Sequence, residues 1–304
     1  MKDASEPGKP GAWVLAARPK TLPVAVVPVV VGSAMAFAET SMFSVSIVVV
    51  AMICALLIQI GTNLHNDVAD FERGADDPAT RLGPRRATAE GWLQPRAVNL
   101  AAAISFAAAF FIGLYLVAIG GWPILLLGVT AIAAGYAYSG GPRPIAYTCF
   151  GEVFVLAFFG LAAVGGTYYL QASGRLTGAA LLAGIAVGLP AAAVLVVNNT
   201  RDLDADRRAG RRTFPVMFGK TASHIQYSGF LLASILLASA TAWQAGAGAW
   251  AAGCLLMFPW AYHLGRCFRE ASAPGVFNQL LAATARFGLC LGAVLSLLLV
   301  VTSQ

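Results

Sequence analysis

The chain has 304 residues, 58% hydrophobic and 11% charged, with a net charge of +6. Soluble domains carry about 25% charged residues, so this composition excludes an ordinary soluble enzyme. It points to an all-α, polytopic membrane protein.

The N-terminal residues, MKDASEPGKPGAW, give a polar, Pro/Gly-rich tail over 1–12, without the order of a cleaved signal peptide. A membrane-crossing helix needs about 20 apolar residues. Nine segments qualify: 22–38, 44–63, 97–118, 122–138, 147–170, 178–198, 222–243, 248–266 and 284–302. They leave no room for a soluble domain, so residues 1–304 are read as one transmembrane domain.

Basic residues test this count, because they concentrate on the cytoplasmic side. With the N-terminus inside, the cytoplasmic segments are 1–21, 64–96, 139–146, 199–221 and 267–283. With the adjoining span ends, they hold 19 of the 20 Lys and Arg residues, all but Arg175. One span more or fewer midway would destroy that segregation. The C-terminus is then expected outside, in a cell (inner) membrane protein whose polar site faces the cytoplasm.

The second span runs into Asn63-Leu-His-Asn-Asp-Val-Ala-Asp70. On a helix, Asn63, Asn66, Asp67 and Asp70 share one face, since steps of three and four bring side chains into register. Such an oxygen-rich stripe suits a hard cation. Arg73, Arg81, Arg85 and Arg86 follow and suit phosphate. The sixth span runs into a second such stretch, with Asn198, Arg201, Asp202, Asp206 and Arg212. There Asn198, Asp202 and Asp206 step by four and are expected to share one face of a continuing helix. Asn66 and Asp70 align with Asn198 and Asp202 at the same offset, so two pseudo-equivalent halves centre on 66–76 and 198–210. Both stretches fall on the same side of the membrane, as a shared metal-diphosphate pocket requires. The plainer reading is solvated, charge-balanced loops, which leaves the paired Asn-xxx-Asp spacing unexplained.

Arg18 and Lys20 open the first span, where basic residues serve as interface anchors or substrate contacts. Tyr138 and Arg143 bracket a Ser-Gly-Gly-Pro turn on the acidic side. Glu152 lies inside a span, where a carboxyl is costly and faces the bundle interior. It reads as a structural hydrogen-bond partner or a cavity residue. Phe154, Phe158, Phe159, Tyr168 and Tyr169 read as packing, with shielding of a carbocation as the alternative. The five cysteines show no CxxC or Cys/His spacing and read the same way.

Taken together, these residues resemble the UbiA superfamily of intramembrane aromatic prenyltransferases. The resemblance covers nearly the whole chain and rests on Asn66-Asp67-x-x-Asp70, Asp202-x-x-x-Asp206 and the nine-span layout. Arg18-Pro-Lys-Thr-Leu22, Arg81-Leu-Gly-Pro-Arg85, Tyr138-Ser-Gly-Gly-Pro142 and Ala209-Gly-Arg-Arg-Thr213 resemble its naphthoate-prenylating branch. A Tyr-x-x-x-Lys of the hydroxybenzoate branch is missing, with Pro142 and Arg143 in its place.

The resemblance implies a nine-helix UbiA-type bundle in which Mg2+ ions bridge a polyprenyl diphosphate to Asp67, Asp70, Asp202 and Asp206. Asp76 is a further metal candidate, because Gly74 stands where relatives often have a third acid. Asn63, Asn66 and Asn198 would support the ligands. Arg18, Lys20, Arg81, Arg85, Tyr138, Arg143, Glu152, Arg201 and Arg212 would contact the substrates. The implied acceptor is 1,4-dihydroxy-2-naphthoate, prenylated with loss of its carboxylate to give demethylmenaquinone. A motif aspartate is a candidate base for the acceptor hydroxyl. Alternatives are a superfamily member acting on 4-hydroxybenzoate or another acceptor such as a chlorophyllide or a sugar phosphate, a membrane transporter or a non-catalytic scaffold. No nucleic-acid partner is expected.

Overall fold

A computed structural model of the chain describes residues 7–74 and 81–302. A short helix α1 (Lys9–Ala17) and a single 3-10 turn (Pro19–Thr21) lead into α2 (Pro23–Thr40). The polar, Pro/Gly-rich tail is thus helical from Lys9, with Gly8 as N-cap and Pro10 in the first turn, a position where proline's missing N–H is not needed.

The apolar spans follow as α3 (Val45–Glu72), α4 (Pro95–Gly120), α5 (Trp122–Ser139), α6 (Gly151–Gln171) and α7 (Gly178–Arg201). Then come the short α8 (Leu203–Arg208), α9 (Phe214–Ala242), α10 (Phe258–Glu270) and α11 (Pro274–Val301). Among the described residues, eight segments are long and apolar enough to cross a membrane. One of them, Phe214–Glu270, is 57 residues long. It breaks at Gly246 and Gly248, whose φ angles of 93° and 53° favour glycine. Beyond the break, the 3-10 stretch Gly248–Met257 and α10 fold back on α9. The Phe268 ring lies 4.5 Å from Tyr227 and 5.0 Å from His224. That segment therefore supplies two passes, and the described residues make the nine expected from the sequence.

Close helix approach depends on small residues, because lipid offers no hydrophobic gain to helices packing together. Gly160 of α6 shows this at the α6–α7 contact, where a Cβ would lie 2.6 Å from the Gly184 carbonyl oxygen. There the α6 backbone widens into a π-helical stretch (Leu156–Ala162). The largest buried cluster joins α2, α7, α9, α10 and α11, with Tyr227, Phe268 and Phe287 at its centre. A second cluster packs α1 against the C-terminal end of α3 and the N-terminal end of α4. A third closes α2–α6 at the opposite end through Val29, Ile47, Leu116, Ile124 and Leu170. Between the clusters, a cavity of about 650 Å³ runs from a polar end to an apolar floor.

Candidate functional site

The polar end of the cavity is built where α3 and α7 leave the apolar layer. Helix α3 continues to Glu72 and carries Asn63, Asn66, Asp67 and Asp70 to the cavity wall. The expected continuous helix through Asp206 is not formed. Helix α7 stops at Arg201, and Asp202, at φ −91° and ψ 6°, joins it to α8. Even so, Asn198, Asp202 and Asp206 all reach the cavity.

Arginines hold the acids. Arg211 Nη2 donates to Asp70 Oδ1 over 2.8 Å, and its Nη1 to Asp206 Oδ1 over 3.4 Å. Arg86 Nη2 reaches the other Asp70 oxygen at 3.3 Å. Arg201 binds both Asp202 oxygens at 2.8 and 2.6 Å, Asn198 Oδ1 at 2.7 Å and Asn278 Oδ1 at 2.7 Å. Asn278 in turn donates to the Leu82 carbonyl at 3.3 Å, tying α11 to the loop that carries Arg81. Burial pushes the Asp206 carboxyl up to about 6, against the opposing pull of Arg211. Burial lowers the Arg211 pKa, but Asp70, Asp206 and Tyr147 together outweigh it, and the net shift is upward.

Asp67 is held differently. It is 1% exposed and accepts from the backbone N–H groups of Ala87 and Thr88 at 3.2 and 3.1 Å, and from the Thr88 hydroxyl. These bonds fix the chain just before α4 against α3. Asn63 also works as an anchor. Its amide donates to the Ala17 carbonyl at 2.9 Å and to Thr21 Oγ1 at 3.1 Å. It thereby secures the turn bearing Arg18, which is held left-handed at φ 54°.

Arg18 lines the cavity with a buried Nη2 that has no hydrogen-bond partner among the described residues. Burial lowers its pKa despite Asp67 and Asp70. Arg81 is pulled down to about 10, first by burial and then by Arg18 beside it. Among the described residues, this end of the cavity therefore presents a buried, unpartnered guanidinium N–H of Arg18, which suits an anion.

The remaining sequence-predicted residues divide by position. Lys20, Arg85 and Tyr138 line the cavity. Arg85 is also paired with Glu90 and lies 4.7 Å from the Trp92 ring. Arg143 and Arg212 lie outside the lining; Arg143 is exposed, and Arg212 Nε points toward Met217 Sδ. Glu152 is buried just behind the wall, where Oε1 accepts from the cavity-lining Asn199 at 2.9 Å. Asp76 lies outside the described residues. Below the charged end, Tyr138, Phe154 and Phe158 form an aromatic wall, the two phenylalanine rings 4.6 Å apart.

Sequence reasoning assigned no role to Tyr147, Asn199, Arg211 or Asn278, and took Arg86 only as one of several phosphate-suited bases. Tyr147, in the α5–α6 loop, places its ring 4.3 Å from the Arg211 guanidinium and 5.7 Å from that of Arg73. Arg73 also caps the same loop by donating to the carbonyls of Ser139 and Gly141. The Arg-Arg pair at 211–212 was the available signal for Arg211, but only packing shows which of the two turns inward.

Among the described residues, no three His, Cys, Asp or Glu side chains are placed to hold a metal by themselves. The donor chemistry nonetheless fits a hard divalent cation that shares its shell with a bound anion. Asp70, Asp202 and Asp206 offer carboxylate oxygens, Asn66 and Asn198 amide oxygens, and Arg18 offers a guanidinium N–H to the anion.

A family model described as the UbiA prenyltransferase family matches residues 25–283. The 1,4-dihydroxy-2-naphthoate octaprenyltransferase of Mycobacterium tuberculosis (strain ATCC 25618 / H37Rv) is 37% identical over 236 residues, 76% of this chain and 79% of its own. The protein of that name in Escherichia coli (strain K12) is 36% identical, with 74% of each chain covered. The UbiA prenyltransferase domain-containing protein 1 of Mus musculus is 29% identical over 93% of this chain and 82% of its own. A UbiA homolog from Aeropyrum pernix K1 shares the fold with a TM-score of 0.67 at 16% identity, over 93% of this chain and 96% of its own. One from Archaeoglobus fulgidus, solved bound to DMAPP and Mg2+, does so at 0.65 and 17%, over 93% and 99%.

Proposed function

As the chain belongs to the UbiA prenyltransferase family, we propose that it transfers a polyprenyl group from its diphosphate to 1,4-dihydroxy-2-naphthoate. The observation that carries this reading is one cavity with Asp70, Asp206 and an arginine cluster at one end and an apolar shaft below. Relatives named for that reaction, at 33–37% identity, support the acceptor.

In this reading the donor's diphosphate binds at the charged end. Arg18, Arg81 and Arg211 contact its oxygens, and Lys20 stands at the mouth. Asp70, Asp202 and Asp206 would hold Mg2+, with Asn66 and Asn198 in support. Bound there, Mg2+ supplies positive charge that stabilises the departing diphosphate. Arg86 and Arg201 keep the carboxylates in place. Asp67 acts chiefly by fixing the 87–88 loop.

The allylic C–O bond breaks and its electron pair leaves with the diphosphate. Tyr138, Phe154 and Phe158 wall the allylic carbon from water, which would otherwise capture the cation. The acceptor's carboxylate-bearing ring carbon attacks and forms the new C–C bond. The bond to the carboxylate then breaks, carbon dioxide leaves, and its electron pair restores the aromatic ring. The product is the reduced form of demethylmenaquinone. In this reading the charged end, where the basic residues gather, faces the cytoplasm, with the C-terminus outside.

The test is transfer from geranylgeranyl diphosphate in detergent with Mg2+, offering 1,4-dihydroxy-2-naphthoate and 4-hydroxybenzoate separately. Prenylated, decarboxylated naphthol is the expected product. Product only from 4-hydroxybenzoate would overturn the acceptor assignment, and no product from either would overturn the reaction.

A further inference from the structure

The shaft below the charged end has a measurable depth. Helix α5 runs its length, with Tyr138 at the charged end and Gly128 and Ile124 further in. At 1.5 Å per residue, Gly128 lies about 15 Å and Ile124 about 21 Å along the helix from Tyr138. Ile124, Leu116, Leu170 and Val29 then close the floor as one packed cluster. An extended isoprene unit adds four chain carbons, about 5 Å with C–C bonds near 1.5 Å. The shaft therefore accommodates about four extended units, and the third ends at the level of Gly128.

Gly128 differs from the glycines around it. A Cβ on Gly166 would meet Leu127 at 2.4 Å, and one on Gly135 would meet Thr62 at 2.4 Å. A Cβ on Gly128 meets nothing within 4 Å, although the residue lines the cavity. Its missing side chain is the space a prenyl tail would use, and its replacement has room to enter without moving the backbone.

We propose that Gly128 gauges donor length, so that the shaft beside it holds the third and fourth isoprene units of the polyprenyl chain. This rests on the prenyltransferase reading above. The chain's exit is a separate question, because units beyond the fourth must bend or pass out between helices.

The test is Gly128→Leu, which raises helix propensity and is compatible with folding. Gly229→Leu is the control: that glycine also has open space, but it sits on α9 and lies outside the cavity. Transfer is measured with geranyl and geranylgeranyl diphosphate, two and four units long. In Gly128→Leu the geranylgeranyl-to-geranyl ratio of kcat/KM is expected to fall about ten-fold or more, the scale of overpacking a filled apolar site. Gly229→Leu should keep the unmodified protein's ratio. An unchanged ratio in Gly128→Leu, or an equal fall in both variants, overturns the proposal. Absence of transfer by the unmodified protein counts against the proposed function instead, since no ratio then exists.

Discussion

Arg211 Nη2 sits 2.8 Å from Asp70 Oδ1, so one guanidinium joins residues 141 positions apart in sequence. The same side chain reaches Asp206, and two acidic stretches from the two halves of the chain become one site. Asp70 also receives Arg86, so it is a carboxylate that both arginines share.

Asp70→Asn leaves Arg86 and Arg211 without that charge in a largely buried place. Breaking a buried pair this way costs about 3–5 kcal/mol. A clear drop in melting temperature in detergent is expected, with transfer falling about 100-fold or more, as when charge stabilisation is lost. Thermal melts and kcat/KM on the same preparation check both.

Asp67 and Thr88 make a structural contact at the edge of the site. Thr88→Val removes a hydroxyl that donates to Asp67 and leaves two backbone N–H bonds in place. The expected cost is about 1–3 kcal/mol of stability. The Mg2+ concentration for half-maximal transfer should not move. A large shift in that concentration would show Asp67 to be a principal metal ligand instead.

Tyr147 holds Arg211 by its ring face. Tyr147→Phe keeps the face and loses only the 3.3 Å contact to the hydroxyl, a bond worth about 1 kcal/mol. Tyr147→Ala removes the platform as well, at about 0.5–2 kcal/mol more. Activity is therefore expected to fall in the order Tyr, Phe, Ala. Equal activity in all three would show that Arg211 is positioned by its acids alone.

Glu152 and Asn199 form a buried pair behind the wall. Glu152→Gln keeps an acceptor for the Asn199 amide and should melt near the unmodified protein. Glu152→Leu strands that amide at a cost of about 1–3 kcal/mol. A Leu variant that melts higher would show that burying the carboxyl costs more than the bond returns.

Local sequence carried the passes, their shared polar side and the inward α3 face, because hydropathy, charge placement and helical period are short-range properties. Asn63 to Asp70 share a face by spacing alone, and the structure keeps that face on the cavity. The break at Asp202 was not legible, since nothing in Asn198–Asp206 forbids a continuous helix. Nor were the arginine partners. Arg211 and Arg212 are the same residue type, and packing against Tyr147 decides that Arg211 turns inward. Arg143 was placed by its neighbourhood in the chain, yet the turn that carries it leaves it exposed.

The central claim is that both acidic stretches hold one metal-bound diphosphate. Calorimetric titration of geranyl S-thiolodiphosphate, an unreactive donor analogue, tests it most directly. Binding is expected with Mg2+, and at least about ten-fold weaker with chelator. Asp70→Asn and Asp206→Asn, each folded by thermal melt, should each weaken it comparably. Equal affinity with Mg2+ and with chelator, or an Asp206→Asn variant that binds like the unmodified protein, would contradict the account.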